Sequence, residues 1–208
     1  MESPVRRDYA RLAARYDRRW RAYNEQSLAL LRPFVAGANV RHLLDAGCGT
    51  GNLLPRLAAW GVGVHHYVGV DLSPEMLAVA EAKAAAAPFP AVLVDADVAA
   101  LPMPPAMFQT AVSASALHDW PHPERALAEI RRVLGNGGRF LLLDWCRDTL
   151  PMQALNTFLR VTRNPFHRMY SRDEAAALLR GAGFRVAAEH RRSIRFPWHL
   201  MAFDCVAE

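Results

Sequence analysis

Three acidic positions and one histidine stand where side chains can do chemistry. Asp45 precedes the glycines of Leu43-Leu44-Asp45-Ala46-Gly47-Cys48-Gly49-Thr50-Gly51-Asn52, where an apolar run gives way to a tight turn and then to Leu53, Leu54 and Leu57. Glycines let a backbone turn sharply and approach a ligand, and the N-terminus of a following helix offers free N–H groups to a carboxylate or phosphate. Spacing narrows the ligand. A dinucleotide fingerprint needs glycine at position 52, where this chain has Asn52. An acid at position 45 suits the ammonium of an amino acid and repels a pyrophosphate. The loop is expected to hold a methionine-like end, which argues against a nicotinamide oxidoreductase.

Val68-Gly69-Val70-Asp71-Leu72-Ser73 ends a second apolar run in an acid about twenty residues later, the place from which a carboxylate accepts both ribose hydroxyls in nucleoside-binding α/β folds. Ser73 already fills the role of helix cap, which frees Asp71 for a ligand. A third run ends in Val94-Asp95-Ala96-Asp97-Val98, where either Asp95 or Asp97 can accept from an exocyclic amine while the next backbone N–H, that of Val98 for Asp97, serves a ring nitrogen. His118, in Leu117-His118-Asp119-Trp120, follows a fourth run on the rim where open α/β sheets bind ligands. It is the candidate general base, with Asp119 to orient it; the plainer reading is a rim histidine that packs before the next helix.

These groups need a parallel sheet to bring them together. Strands are expected at 42–45, 67–71, 91–95, 108–113 and 138–145, apolar on both faces as in a buried parallel sheet. Amphipathic helical runs alternate with them, which points to helices on both sides. Ser73 with Pro74-Glu75 starts one helix, Pro123-Glu124 another that stops at Gly135, and Ser171 with Glu174 a third that ends at Gly181. Two final strands, 184–190 and 198–206, are joined so closely that they must run antiparallel at the sheet edge. One domain over residues 1–208 is expected. It comprises a helical cap over 5–36, a core over 40–145, a lid over 147–170 that roofs the acceptor, and a closing helix and strand pair over 171–208.

Slightly over half of the 208 residues are apolar and 22% are charged, as in a globular protein. Cys48, Cys146 and Cys205 are scattered, with no CxxC and no Cys/His ligand spacing, so neither a disulfide frame nor a metal site is read. The start of the chain lacks an apolar stretch, and the cytoplasm is the expected address. The net charge of +5 is modest, but Arg6, Arg7, Arg11, Arg15, Arg18, Arg19 and Arg21 face only Asp8 and Asp17. An acidic substrate, a membrane surface or plain solvent suits that face. On the same stretch Tyr9, Tyr16, Trp20 and Tyr23 recur at helical steps.

Taken together, Leu44-Asp45-Ala46-Gly47-Cys48-Gly49-Thr50-Gly51, Gly69-Val70-Asp71-Leu72-Ser73-Pro74-Glu75-Met76-Leu77, Asp97 before Leu101-Pro102, and Ala116-Leu117-His118 with Pro123-Glu124 and Gly137-Gly138 strongly resemble the class I S-adenosylmethionine-dependent methyltransferases, in particular the branch with quinone-biosynthesis and small-molecule enzymes. The resemblance runs from Tyr9 to about Phe184. It implies a Rossmann-like seven-stranded, mostly parallel sheet with an antiparallel C-terminal strand and an N-terminal helical lid. It implies S-adenosylmethionine as methyl donor, leaving as S-adenosylhomocysteine. Gly47, Cys48, Gly49 and Gly51 would then belong to the methionine loop, Asp71 to the ribose, Leu72 and Met76 to the adenine edges, and Asp97 rather than Asp95, with Val98, to the adenine amine and ring. Ser113 would sit near the sulfonium, and Tyr9 and Tyr16 would close over the cofactor. Gln109 and Gly135-Asn136 depart from the family's usual residues.

Methyl transfer needs an acceptor held about 3 Å from the methyl group in line with the sulfur, and a base only when the acceptor must lose a proton. The expected acceptor is a small, lipophilic molecule. A lipid headgroup, with the arginine helix resting on an anionic bilayer, is the alternative, as is a non-catalytic module that binds the donor. Ser113-Ala114-Ser115-Ala116 stands where base methyltransferases carry an Asn/Asp-Pro-Pro-Tyr/Phe type motif, so a nucleic-acid partner is not expected. The accepting atom and the oligomeric state leave no signature in the sequence.

Overall fold

The computed structural model describes residues 4–36, 39–162 and 168–208. Its centre is one seven-stranded sheet: β1 (Asn39–Ala46), β2 (Gly63–Asp71), β3 (Ala91–Asp95), β4 (Phe108–Ala114), β5 (Leu134–Trp145), β6 (Phe184–Ser193) and β7 (His199–Ala207), in the order β3-β2-β1-β4-β5-β7-β6. β1 to β5 pair in parallel, and β7 runs antiparallel to both β5 and β6. The order reverses between β1 and β4, the switch point at which doubly wound sheets open a crevice at the carboxyl ends of their strands.

Alternation along the strands divides the core in two. Leu44, Phe140 and Leu142 join the layer under α5 (Pro123–Val133) and α7 (Arg172–Gly181), and Leu43, Leu141 and Leu143 join the opposite layer. That second layer takes in α1 (Pro4–Leu28), α2 (Arg32–Val35), α3 (Leu54–Ala59) and α6 (Leu150–Thr162). α4 (Pro74–Ala85) lies against β3 and along α1. Among the described residues no helix is long and apolar enough to cross a membrane.

Several local expectations hold for local reasons. The Ser73 side chain accepts from the Met76 N–H and caps α4. Ser171 and Glu174 form the reciprocal capping box of α7. Other expectations are corrected. β3 is an edge strand, half-open to solvent with Val92 57% exposed, so although apolar it is not buried on both faces. α5 ends at Val133 because Leu134 is already extended (ψ 139°) and begins β5, and the left-handed residue is Gly137 rather than Gly135. α7 does end at Gly181 as expected, and the left-handed turn follows at Gly183, φ +83°.

Candidate active site

A cavity of about 340 Å³ lies over the carboxyl ends of β1, β2 and β4, roofed by α1, within the ~300–1,000 Å³ range of small-ligand sites. Its floor is the turn after β1. Gly47 and Gly49 hold φ of +79° and +54°, conformations that L side chains rarely adopt. A Cβ at Gly47 would meet Ala116 Cβ at 2.7 Å, so the turn passes directly against the loop after β4. Gly47, Cys48 and Gly49 line the cavity. Gly51 does not: a Cβ there would meet Ala80 of α4 at 3.0 Å, so this glycine serves helix packing.

Three carboxylates follow one another along the wall: Asp45, Asp71 and Asp97. Asp45 is 2% exposed and accepts a 2.6 Å hydrogen bond from the Tyr67 hydroxyl. Burial pushes its carboxyl up to about 7, against the opposing pull of the Tyr67 bond and with help from the charge of Asp71. Asp71 accepts from the Gly49 N–H at 2.8 Å on one oxygen and from the Ser73 N–H at 3.0 Å on the other. Each oxygen keeps a lone pair for a ligand. Burial raises its pKa, while those backbone bonds pull the other way. Asp97 accepts from the Ala99 N–H at 2.9 Å and lines the cavity with Val98, whereas Asp95 sits beside Asp71 in the strand register, off the cavity. The Arg132 guanidinium holds this corner by donating to the Leu101 and Met103 carbonyls. Leu72 and Met76 complete the wall.

Burial, with the nearby acids Asp45 and Asp71, raises the Cys48 thiol well above its ordinary value, so it stays neutral and is no nucleophile.

The other half of the cavity is lined by Leu28, Ala114, Ser115, Ala116, Asp119, Trp120 and Pro121. Ser115 is left-handed at φ +59° and its hydroxyl is 2.8 Å from the Tyr23 hydroxyl, which also accepts from Trp145 Nε1 at 2.8 Å. A non-glycine residue in this region costs about 1–3 kcal/mol and is found where the surroundings hold it for a purpose. Ser113, expected at the sulfonium end, is fully buried, off the cavity, and its hydroxyl has no hydrogen-bond partner among the described residues. Ser115 occupies the rim in its place.

His118 does not line the cavity either. It is 2% exposed, its Nδ1 is 2.7 Å from Asp144, and its ring lies flat on Trp145 with centroids 3.8 Å apart. Its Nε2 is 3.6 Å from Asp119, and Asp119, not His118, reaches the wall. Of the expected lid, Phe166 and His167 lie outside the described residues. Leu155 and Leu159 pack into the core layer, Phe158 points outward, and no described residue of 147–170 lines the cavity.

The roof is tied down by contacts that sequence reading missed. Tyr9 and Tyr16 both line the cavity, and the Tyr9 hydroxyl donates to Asp119 at 2.5 Å. Next to Tyr16, Asp17 accepts from Thr50 at 2.6 Å, Asn52 at 2.9 Å and Lys83 at 2.6 Å. Burial works to raise the Asp17 pKa, but these bonds outweigh it and hold the carboxyl below its usual value. The only local signal for this latch is the pair of polar residues, Thr50 and Asn52, inside the glycine turn.

The arrangement can bind an ammonium, a hydroxyl pair and an amine in that order, which fits the donor expected from the sequence. A pH dependence follows. An ammonium pairs with Asp45 only when the carboxyl is ionised, so affinity for such a ligand should rise up to tenfold per pH unit below about 7 and level off above it. Ligand-free stability runs the other way. A pKa raised above its unfolded value of 3.8 contributes most below that value, and the contribution is lost as pH rises through about 7. Calorimetric titrations from about pH 5.5 to 8.5 test this, and a flat affinity profile would remove Asp45 from the ammonium site.

Comparison with known proteins agrees with the geometry. The profile of the methyltransferase-domain family matches residues 44–142. The chain is 36% identical over 105 residues to demethylmenaquinone methyltransferase of Thermus thermophilus, covering 50% of this chain and 47% of that protein. It thus spans about half the length of that relative. With malonyl-[acyl-carrier protein] O-methyltransferase of Geobacter sulfurreducens it shares 32% identity over 198 residues, 87% of this chain and 70% of that one. A solved structure from Thermotoga maritima, described as an S-adenosylmethionine-dependent methyltransferase and possible histamine N-methyltransferase, superposes with a TM-score of 0.75 at 18% identity, covering 96% of this chain and 98% of that one.

Proposed function

The chain belongs to the class I S-adenosylmethionine-dependent methyltransferases, and from that premise we propose that it methylates a lipophilic small molecule. The observation that carries the reading is the succession of Asp45, Asp71 and Asp97 around one cavity whose other half is walled mainly by Leu28, Ala114, Ala116, Trp120 and Pro121, with Ser115 and Asp119 as its polar members. S-adenosylmethionine, when bound, supplies an electrophilic methyl group on a positively charged sulfur.

The residues divide the work. Asp45 holds the ammonium, the Gly47–Gly49 backbone cradles the amino-acid end, and Asp71 takes the ribose hydroxyls. Asp97 and Val98 read the adenine edge, with Leu72 and Met76 packed beside it. Tyr9 and Tyr16 close the roof and exclude water. For an acceptor that must lose a proton, Asp119 is the carboxylate at the wall, and His118 is a positioning residue backed by Asp144. The apolar half favours an aromatic or lipid-like acceptor over a charged metabolite. The quinone-methylating relative supports the same choice.

Purified protein with isotopically labelled donor should transfer label to a component of a lipid extract rather than of a polar metabolite pool. Label found only in polar acceptors would refute the lipophilic assignment. Donor binding with no transfer to either pool would refute catalysis.

A further inference from the structure

We propose that the protein docks on an anionic lipid bilayer through the outer side of α1, the outer side of α6 and the hairpin tip between β6 and β7. On α1, Arg7, Arg11, Arg15 and Arg18 are all exposed and follow one another at steps of four, four and three. That spacing keeps them on one face, a basic line about 16 Å long. Asp8 borders the line at its N-terminal end, and Asp17 is taken up by Thr50, Asn52 and Lys83. The opposite side of the helix carries Tyr9, Tyr16 and Tyr23, which face the cavity or the core.

α6 repeats the same spacing with apolar residues. Leu150, Ala154, Phe158 and Val161 form its outer line, with Leu150 79%, Phe158 61% and Val161 82% exposed. Its other side, through Met152, Leu155 and Leu159, is packed into the core. The helix is therefore apolar in two directions, and only one is satisfied by the fold. It contains no acidic residue, and Arg160 is its one charge. At the hairpin tip Phe196 is 79% exposed beside the exposed Arg195.

All three elements lie over the same side of the sheet. Trp20 and Tyr23 of α1, Leu155 and Leu159 of α6, and Ile194 and Trp198 of the hairpin belong to one apolar layer, and the Trp198 ring is 5.7 Å from Trp20 and 5.4 Å from Tyr23. Their outward sides consequently look away from the same sheet face. Basic and apolar groups together select the occupant. A nucleic acid or an acidic protein would engage the arginines and leave Leu150, Phe158, Val161 and Phe196 in water. A second copy would cover the apolar residues but bring two arginine lines together. An anionic bilayer takes both, phosphates against arginines and acyl chains against the aromatic and aliphatic groups.

The test is flotation of the protein with vesicles of phosphatidylcholine alone and of phosphatidylcholine mixed with phosphatidylglycerol, with no methyl donor or acceptor present. Its outcome is therefore separate from that of the methyl-transfer assay. Binding to the mixed vesicles and little to the neutral ones is expected, weakening as salt rises. Each arginine near an anionic surface contributes about fivefold, so the double change Arg11→Glu with Arg15→Glu should weaken binding by tenfold or more. The triple change Phe158→Ser, Val161→Ser, Phe196→Ser should do the same while melting like the parent, because all three side chains are exposed. No binding to mixed vesicles at low salt overturns the proposal. So does binding that the triple change leaves intact, which would mark a general polyanion surface. A dimer in sedimentation analysis that the triple change dissolves overturns it in favour of self-association.

Discussion

Asp71→Ala should reduce affinity for S-adenosylmethionine and S-adenosylhomocysteine by roughly 10²–10⁴-fold, since two hydrogen bonds to a charged group contribute about 1.5–3 kcal/mol each. The melting temperature of the ligand-free protein should move far less. Alanine relieves the burial cost that raises the Asp71 pKa, but it orphans the Gly49 and Ser73 N–H groups that now end on the carboxylate. The two effects oppose one another, so folding and binding separate in this variant. Calorimetric titration and thermal shift with S-adenosylhomocysteine measure both. Parent-like affinity in Asp71→Ala would end the ribose assignment.

Gly47→Ala should damage fold and binding together. The left-handed φ of +79° costs an alanine about 1–3 kcal/mol. Its Cβ also lands 2.7 Å from Ala116 Cβ, and overpacking of that kind adds about 1–3 kcal/mol. For a chain of this size the sum corresponds to a fall of roughly 5–20 °C in melting temperature. Any relief by movement of Ala116 narrows the cavity that both residues line. Gly61→Ala separates the two causes. It shares the left-handed backbone at φ +67° but meets nothing within 4 Å, so only the strain remains. Equal losses in the two variants would show that the contact with Ala116 carries no weight.

What could be read in advance divides along sequence separation. The glycine turn, the acid at the end of β2 and the caps at Ser73 and Ser171 depend on neighbours within a few residues, and pattern alone locates them. The residue pattern alone leaves Asp95 and Asp97 open; the family resemblance favours Asp97, and the path of the chain after an edge strand puts Asp97 on the cavity wall. Asp17 and Lys83 are 66 positions apart, and Tyr23 meets Ser115 across 92, so neither pair leaves a periodic trace. Ser115 is harder still: nothing in Ser113-Ala114-Ser115-Ala116 announces a left-handed residue, because the tertiary surroundings impose it. His118 was visible as a residue type at the right rim. That its ring lies on Trp145 and turns from the cavity was not, since Asp144 and Trp145 come from the adjacent strand.

Asp17 gives the latch a mechanical meaning. Thr50 and Asn52 belong to the glycine turn proposed to cradle the amino-acid end of the donor, and Tyr16 beside Asp17 belongs to the roof. One carboxylate therefore joins door and floor. Any displacement of α1 that breaks these bonds would strip the glycine turn of its outer support at the same moment, so roof and floor are coupled.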